Sequence, residues 1–486
     1  MTRILEGLEP KTVWYYFEEI TKYPHPSKKE EKLANYILGW AKEKNFENFV
    51  DKTGNIVIRK PATKGMENRK PIAFQGHIDM VCEKNSDVTF DFDNDPIQIY
   101  VDGDWIKAKG TTLGADNGIG VAMGMAVLDS TDIPHPDVEL LCTVDEETGL
   151  TGAMQLEGGV LKAKILINLD SEEDAAFTIG CAGGINTSGT FEYKTAPVAP
   201  DSTAFELAVK GLRGGHSGIE IHDGRGNAIK ILNRLLNNLN QMFNIQLSSI
   251  AGGNKHNAIP RESFAVITVP KKSEADFVKY VKEYDVILKA EYLSKEPDIN
   301  IIAKSVALPA KVMSYNMQCN LISSFYVMPH GVIRMSPDIQ GLVQTSTNFA
   351  IVETRENEVY VLTSQRSSVE TEKVDMARMV YAALELGGAK VVSGDGYPAW
   401  QPNVNSPILK EAAIIFKQLR GVEPRIEAIH AGLETGLIGE KYPGMDMLSF
   451  GPNLKDVHSP AEKISISSTE MTWKLLLEIV KNIPLK

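Results

Sequence analysis

Cysteine is scarce: Cys82, Cys142, Cys181 and Cys319 are four residues among 486, with no paired spacing. That excludes a disulfide framework and a zinc ribbon, and a reduced compartment, the cytoplasm, is the expectation. No apolar run approaches the ~20 residues of a membrane helix, and the start, Met1-Thr2-Arg3-Ile4-Leu5-Glu6, lacks a signal-peptide core. Blocks of Lys and Arg are also missing. With a net charge of −12, neither a nucleic-acid nor a membrane partner is expected. What remains, 43% hydrophobic and 23% charged residues, is an ordinary folded composition. The length exceeds what one core supports, so two or more domains are expected.

Several apolar runs are bounded by Gly and polar residues, as inner strands of a covered sheet are. Residues 28–44 read as an amphipathic helix capped by Ser27, with Glu30 at the capping-box position. Strands near 55–59 and 72–76, a glycine-rich turn at 110–118 opening a helix, and strands ending at Val144 and Leu169 make an α/β layered domain. From about 188 the texture changes to strand 203–211, helix 226–243, strand 263–269 and helix 274–289. Strands near 298–304 and 325–334 follow, then a hairpin 342–353/358–366 and helix 370–387. These repeated strand–helix–strand units suggest an α+β domain and an old duplication, without a clear sequence repeat. Helix 406–419, strands 425–429 and 446–450, and helix 469–482 return to α/β. The expected organisation is a first domain of 1–187 and 393–486 with 188–392 inserted, and a cleft between the two.

Acidic and histidine side chains stand where the buried runs stop. Ile72–Gly76 leads to His77 and Asp79, Glu139–Val144 to Glu146 and Glu147, and Ile165–Leu169 to Asp170. Ligands collect at the carboxyl ends of strands in such sheets, so this pattern proposes a metal site. His77 suits one metal, and Asp79, two residues on, could orient its imidazole. Asp116 lies on the glycine-rich turn, whose small neighbours let the backbone come close to an ion. Glu146 and Glu147 are adjacent and point differently, so one can bind metal while the other serves as general base. His458 follows the late strand. Singly, each Asp or His reads better as a cap, turn or solvated residue. The repeated placement favours the set.

Together, Gly76-His77-Ile78-Asp79, Ala115-Asp116-Asn117-Gly118, Asp145-Glu146-Glu147-Thr148-Gly149, Asp170 and His458 resemble the co-catalytic zinc peptidases. The resemblance covers essentially the whole chain. It implies a mixed-sheet zinc-peptidase catalytic domain with an inserted α+β lid, a homodimer, and two zinc ions, with cobalt and manganese also suited to such donors. It also implies roles: His77 and Asp170 on one ion, Glu147 and His458 on the other, and Asp116 bridging. Glu146 would be the base and Asp79 the orienter. The stretches 77–85, 168–184 and 430–434 most resemble the aminoacyl-histidine dipeptidase branch, which implies cleavage of short peptides, chiefly Xaa-His dipeptides. Rival readings are a tripeptidase, a carboxypeptidase, an N-acyl amino acid amidohydrolase and a silent peptide-binding relative. The adjacent Glu146 and Glu147 speak against silence.

In the inserted domain, Gly211–Gly218 resembles the family's lid motif, where His216 would stabilise the oxyanion. By itself the run reads as a flexible turn. Asn257 resembles a substrate-binding asparagine, and its plain reading is a turn before Pro260. Arg366, at a strand end, could grip the peptide's terminal carboxylate bidentately, against the alternative of a surface arginine. His430 and Glu434 could line the substrate pocket or serve a core or cap role. His25 and His222 lack strand-end neighbours and read as ordinary histidines. Cys82 and Cys142 read as small buried hydrophobes. The 110–118 turn lacks the Lys-Ser/Thr of a P-loop.

Overall fold

The computed structural model describes residues 3–486. Contacts divide it into two units. One comprises the chain up to Cys181 with Pro402–Ala428 and Leu433–Lys486, and the other Ala182–Gln401 with Ile429–Gly432.

The first unit is built on an eight-stranded mixed sheet. Its order is Glu47–Val50, Ile56–Lys60, Val138–Thr143, Ile72–His77, Ile165–Asn168, Asp446–Ser449, Ala176–Cys181 and Arg425–Ile429. The central four strands run parallel, and Ile72–His77, Val138–Thr143 and Ile165–Asn168 are buried at every position. Burial on both faces explains their unbroken apolar runs. Helix Ala115–Asp129 is apolar nearly all round and buried from Asn117 to Leu128, as a helix enclosed by its neighbours must be. A smaller sheet pairs Leu454–Lys455, Lys463–Ser465, Trp105–Ala108 and Ile99–Asp102. Its 454–465 hairpin carries the loop 456–462.

The expected Ser27 cap is absent. The helix runs Glu31–Glu43, and Lys28, at φ 68°, interrupts any earlier turn. Ser27 instead donates its hydroxyl to Asp79 Oδ2 at 2.8 Å. Glu30 accepts the Lys28 N–H, but its carboxylate also takes the N–H of Asp145. A distant partner thus outcompetes the local capping pattern.

The second unit holds an antiparallel sheet with two βαββαβ halves. The first is Ser202–Lys210, Ala228–Phe243, Gln246–Gly252, Ser263–Pro270, Glu274–Tyr292 and Asn300–Val306. The second is Gly183–Glu192, Tyr315–Val327, Val343–Thr354, Glu358–Ser367, Glu370–Leu386 and Lys390–Ser393. In each half the strand order is fourth, first, third, second. The two second strands pair edge to edge through Ala251↔Glu353 and Gly252↔Val352. The first half is inserted after the first strand of the second. One apolar core, including Leu232, Ile267, Phe277, Phe325, Phe349 and Val361, runs through both.

The strand expected near 325–334 is confined to Gly331–Met335, and Tyr315–Val327 is a helix. Phe325, Tyr326 and Val327 favour extended backbone singly, yet Leu321, Ile322 and Phe325 share one buried helical face. Pro329 then disfavours helix at Met328.

Candidate active site

The parallel strands deliver their side chains to one edge. The Nδ1–H of His77 donates to the Asp79 carbonyl at 3.0 Å, which turns Nε2 toward the neighbouring carboxylates. That nitrogen lies 3.1 Å from Asp116 Oδ1 and 3.5 Å from Asp170 Oδ1. The other oxygen of Asp116 lies 3.1 Å from His458 Nε2, which is also 3.1 Å from Glu147 Oε2. Two donor groups therefore share one carboxylate: His77, Asp116 and Asp170 on one side, and Asp116, Glu147 and His458 on the other. Glu147 Oε1 and Asp170 Oδ1 are buried without a hydrogen-bond partner. Orphaned carboxylate oxygens in a cluster of carboxylates and imidazole nitrogens are the donor chemistry a divalent cation satisfies, so these residues fit a metal cofactor.

Backbone geometry sets these positions. Asp145 and His458 have φ of 52° and 60°, the left-handed region that costs a non-glycine residue roughly 1–2 kcal/mol. Strain at such points is tolerated where surroundings hold it. The Asp145 carboxylate takes the hydroxyls of Thr148 and Thr151. Asp79 does more than orient His77: its Oδ1 and Oδ2 accept the N–H groups of Glu146 and Glu147 at 2.9 and 3.1 Å. Against burial, the adjacent His77, then the Glu146 N–H and the Ser27 hydroxyl, hold its pKa down to about 2. Asn117 Nδ2 donates to the Leu169 carbonyl at 2.7 Å, tying the start of the 115–129 helix to the strand end before Asp170. Gly76 makes that approach feasible, because a Cβ there would lie 2.1 Å from Asn117 Oδ1.

The charges are strongly coupled. Hydrogen bonds to Asp116 and Glu147 push His458 up to about 11. Asp116, between two histidines, falls well below the ordinary carboxylate range despite burial. Burial and nearby Asp170, Glu434 and Glu147 raise Glu146 well above its usual value, against the pull of His77. Glu146 also shares a donor group with His77 and Glu147. A carboxyl so placed beside the donors, yet outside both Asp116 groups, can exchange a proton.

In the second unit, Gly215-His216 pairs with Ala258-Ile259, opposite His216 being Ala258. Asn257 is thereby half-buried beside it, its carbonyl accepting the Ser217 N–H at 2.9 Å. His216 Nδ1 accepts the N–H groups of Gly218 and Ile219, both at 3.1 Å. Burial and the charge of Arg366 lower its pKa, so the ring is neutral with its proton on Nε2, a free donor. Arg366 is no surface arginine. It is 7% exposed, donates to the Tyr397 hydroxyl at 2.7 Å, and forms no ion pair with any described carboxylate. His430 belongs to this unit, not to the one expected from its sequence neighbours. It bonds Ser346 Oγ at 2.7 Å, and burial with the Arg366 charge lowers its pKa to about 3. Glu434 lies in the first unit, buried, accepting from Gln75 and Thr143.

Sequence reasoning missed Glu462, which lies beside Asp116, and gave Glu30 only a capping role. His25 is buried, held neutral by a pKa lowered to about 4 through desolvation. The thiols of Cys82 and Cys142 are raised to about 12 by burial.

A mixed sheet presenting two donor groups joined by one carboxylate defines a metal-dependent hydrolase. The M20 peptidase dimerisation domain profile matches residues 207–296. Across 482 residues, 99% of each chain, the sequence is 44% identical to the cytosol non-specific dipeptidase of Escherichia coli strain K12. The crystal structure of the aminoacylhistidine dipeptidase from Vibrio alginolyticus superposes with TM-score 0.95 at 43% identity, covering 100% of this chain and 99% of that one. The aminopeptidase PepT of Bacillus cereus shares the fold, with TM-score 0.61 at 18% identity over 98% of this chain and 99% of that one. The chain belongs to the M20 family of metallopeptidases, in its dipeptidase branch.

Proposed function

We propose that this chain hydrolyses Xaa-His dipeptides, with His77, Asp116 and Asp170 holding one zinc ion and Asp116, Glu147 and His458 the other. The observation that carries the reading is Asp116, whose two oxygens each stand 3.1 Å from a different histidine. Ions there would supply a water acidic enough to react near neutral pH and would polarise the scissile carbonyl. Glu146 would serve as the general base, taking a proton from the attacking water and returning it to the leaving amine. Asp79 fixes both the His77 ring and the backbone that presents Glu146.

Substrate binding falls to the second unit. Arg366 is a buried, permanently charged guanidinium, and a buried cation needs an anion. The free carboxylate of a dipeptide meets that need. His216, with Nδ1 accepting and its proton on Nε2, suits the oxyanion of the tetrahedral intermediate, and Asn257 immediately precedes the strand paired with it. His430, hydrogen-bonded through Ser346 to the strand partnering Arg366, lines the same region. The substrate class is supported by the names of the E. coli and V. alginolyticus relatives. The dimerisation-domain match supports a homodimer. Cytoplasmic placement is proposed from the cytosol enzyme of E. coli, and no described helix is long and apolar enough to cross a membrane.

The test is a panel of carnosine, a dipeptide lacking histidine, a tripeptide and an N-acyl amino acid, before and after chelation and with zinc, cobalt or manganese restored. The expected result is highest kcat/KM for the Xaa-His dipeptide, loss on chelation and best recovery with zinc. Preference for the tripeptide or the acylated amino acid would refute the substrate, and undiminished turnover after metal removal would refute the mechanism.

A further inference from the structure

The geometry points to Glu462 as a positioning residue that couples the two metal sites, because its carboxylate clamps the turn from which Asp116 projects. This inference rests on the reading of Asp116 as the bridging ligand. Glu462 Oε2 accepts the N–H groups of Leu113 and Gly114 at 2.7 and 3.2 Å, and Oε1 those of Ala115 and Asp116 at 2.8 and 3.4 Å. Four successive donors thus converge on one side chain that is 3% exposed.

These groups open the 115–129 helix, where N–H donors have no partner within the helix. The turn also contains Gly114 in the left-handed region at φ 72°, so local preference alone does not fix it. A carboxylate satisfies all four donors at once and complements the positive end of the helix. Its own ionisation is opposed by burial and the nearby Asp116 charge, and supported by the same N–H groups.

Glu462 lies on the 456–462 loop that also carries His458. The loop therefore contributes twice: His458 directly to one donor group, and Glu462 indirectly to the carboxylate common to both. Loosening the clamp should let Asp116 drift from both histidines together, and the two ions should weaken in step. A residue that merely stabilised the fold would lower the melting temperature while leaving affinity per folded molecule unchanged.

Glu462→Gln removes the charge and turns an amide NH2 toward two of the four donors. Titration of the chelated, refilled full-length protein with zinc reads the affinities, and amide exchange of 113–116 in the metal-free protein reads the clamp directly. The expected result is faster exchange at those amides and a fall of roughly 10–100-fold in affinity at both sites, the range typical of lost outer-shell partners. Wild-type affinity at both sites in the folded variant would overturn the proposal. Should Glu462→Gln fail to fold, Glu462→Asp keeps the charge but retracts it by one methylene. A smaller loss shared by both ions is then expected, and unchanged affinity again overturns the clamp. Asp116→Asn separates the two ideas. If it keeps both ions at full affinity, the bridging assignment fails. If it loses them while Glu462→Gln does not, only the clamp fails.

Discussion

Gln75 stands two positions before His77 on the same strand, so the two share a face, and Asn168 ends the strand that leads to Asp170. Gln75 and Asn168 extend a buried polar chain. Gln75 Nε2 and Thr143 Oγ1 donate to Glu434 Oε2 at 2.5 and 2.8 Å, Asn168 Nδ2 donates to Gln75 Oε1 at 2.6 Å, and Ser449 Oγ donates to Asn168 Oδ1 at 2.5 Å. Glu434 Oε1 has no partner. Burial raises the carboxyl to about 7, with Asp170 and Asp79 adding to the rise and His77 opposing it. A folded-state value above the ordinary 4.5 means that the protonated form stabilises the fold. That contribution is complete below pH 4.5 and is lost as pH rises through about 7. In the metal-free protein, Glu434→Gln should therefore gain stability relative to wild type between about pH 4.5 and 7 and hold a constant difference above it. The full span is on the order of 3 kcal/mol. Urea unfolding at several pH values measures it, and any misfit of the amide adds only a constant offset. Parallel stability profiles across that range would contradict the assignment.

Elements were legible where one periodicity ruled. Fully buried strands announce themselves as unbroken apolar runs, and the residue at which each run stops marks the sheet edge, which is why His77, Glu146, Glu147 and Asp170 could be singled out, whereas Asp116 was marked by its glycine-rich turn. The hairpin Val343–Thr354/Glu358–Ser367 was readable from its alternation and turn. Other features depend on partners hundreds of residues away. Glu462 meets the 113–116 turn across about 350 positions, and no local pattern foretells such a bond. His458 lies in a loop at φ 60°, so neither strand nor helix spacing locates it; its place after the late strand made it a candidate, and the family resemblance implied its metal role. Ser27 looked like a helix cap because capping is a local pattern, whereas its hydroxyl serves Asp79. Phe325–Val327 looked extended from β-branched and aromatic propensity, which is weak against burial of a helical face. Arg366 was visible as an arginine at a strand end, but its burial without a carboxylate was not.

Over the whole chain, the duplicated βαββαβ architecture of the second unit bears on how the molecule assembles. The half matched by the dimerisation profile is the inserted one and carries His216, and it already pairs edge to edge with a second half of the same chain. A chain with an internal partner for that edge has less need of a second copy to supply it, which favours His216 acting within its own chain even in a homodimer. Mixing inactive Glu146→Ala with inactive His216→Ala protein decides this. Action within one chain predicts no recovery, whereas recovery of up to about a quarter of wild-type activity, the yield expected from random pairing when one active site per mixed dimer is intact, would show action across the interface.

The central claim is that metal binding and proton transfer reside in adjacent but separate carboxylates. Its most direct test is Glu146→Gln, measured for metal content by elemental analysis and for turnover of an Xaa-His dipeptide on the same preparation. The account predicts about two metal ions per chain, as in wild type, with kcat reduced roughly a hundred- to ten-thousandfold. Metal lost together with activity, or activity kept with metal intact, would contradict it.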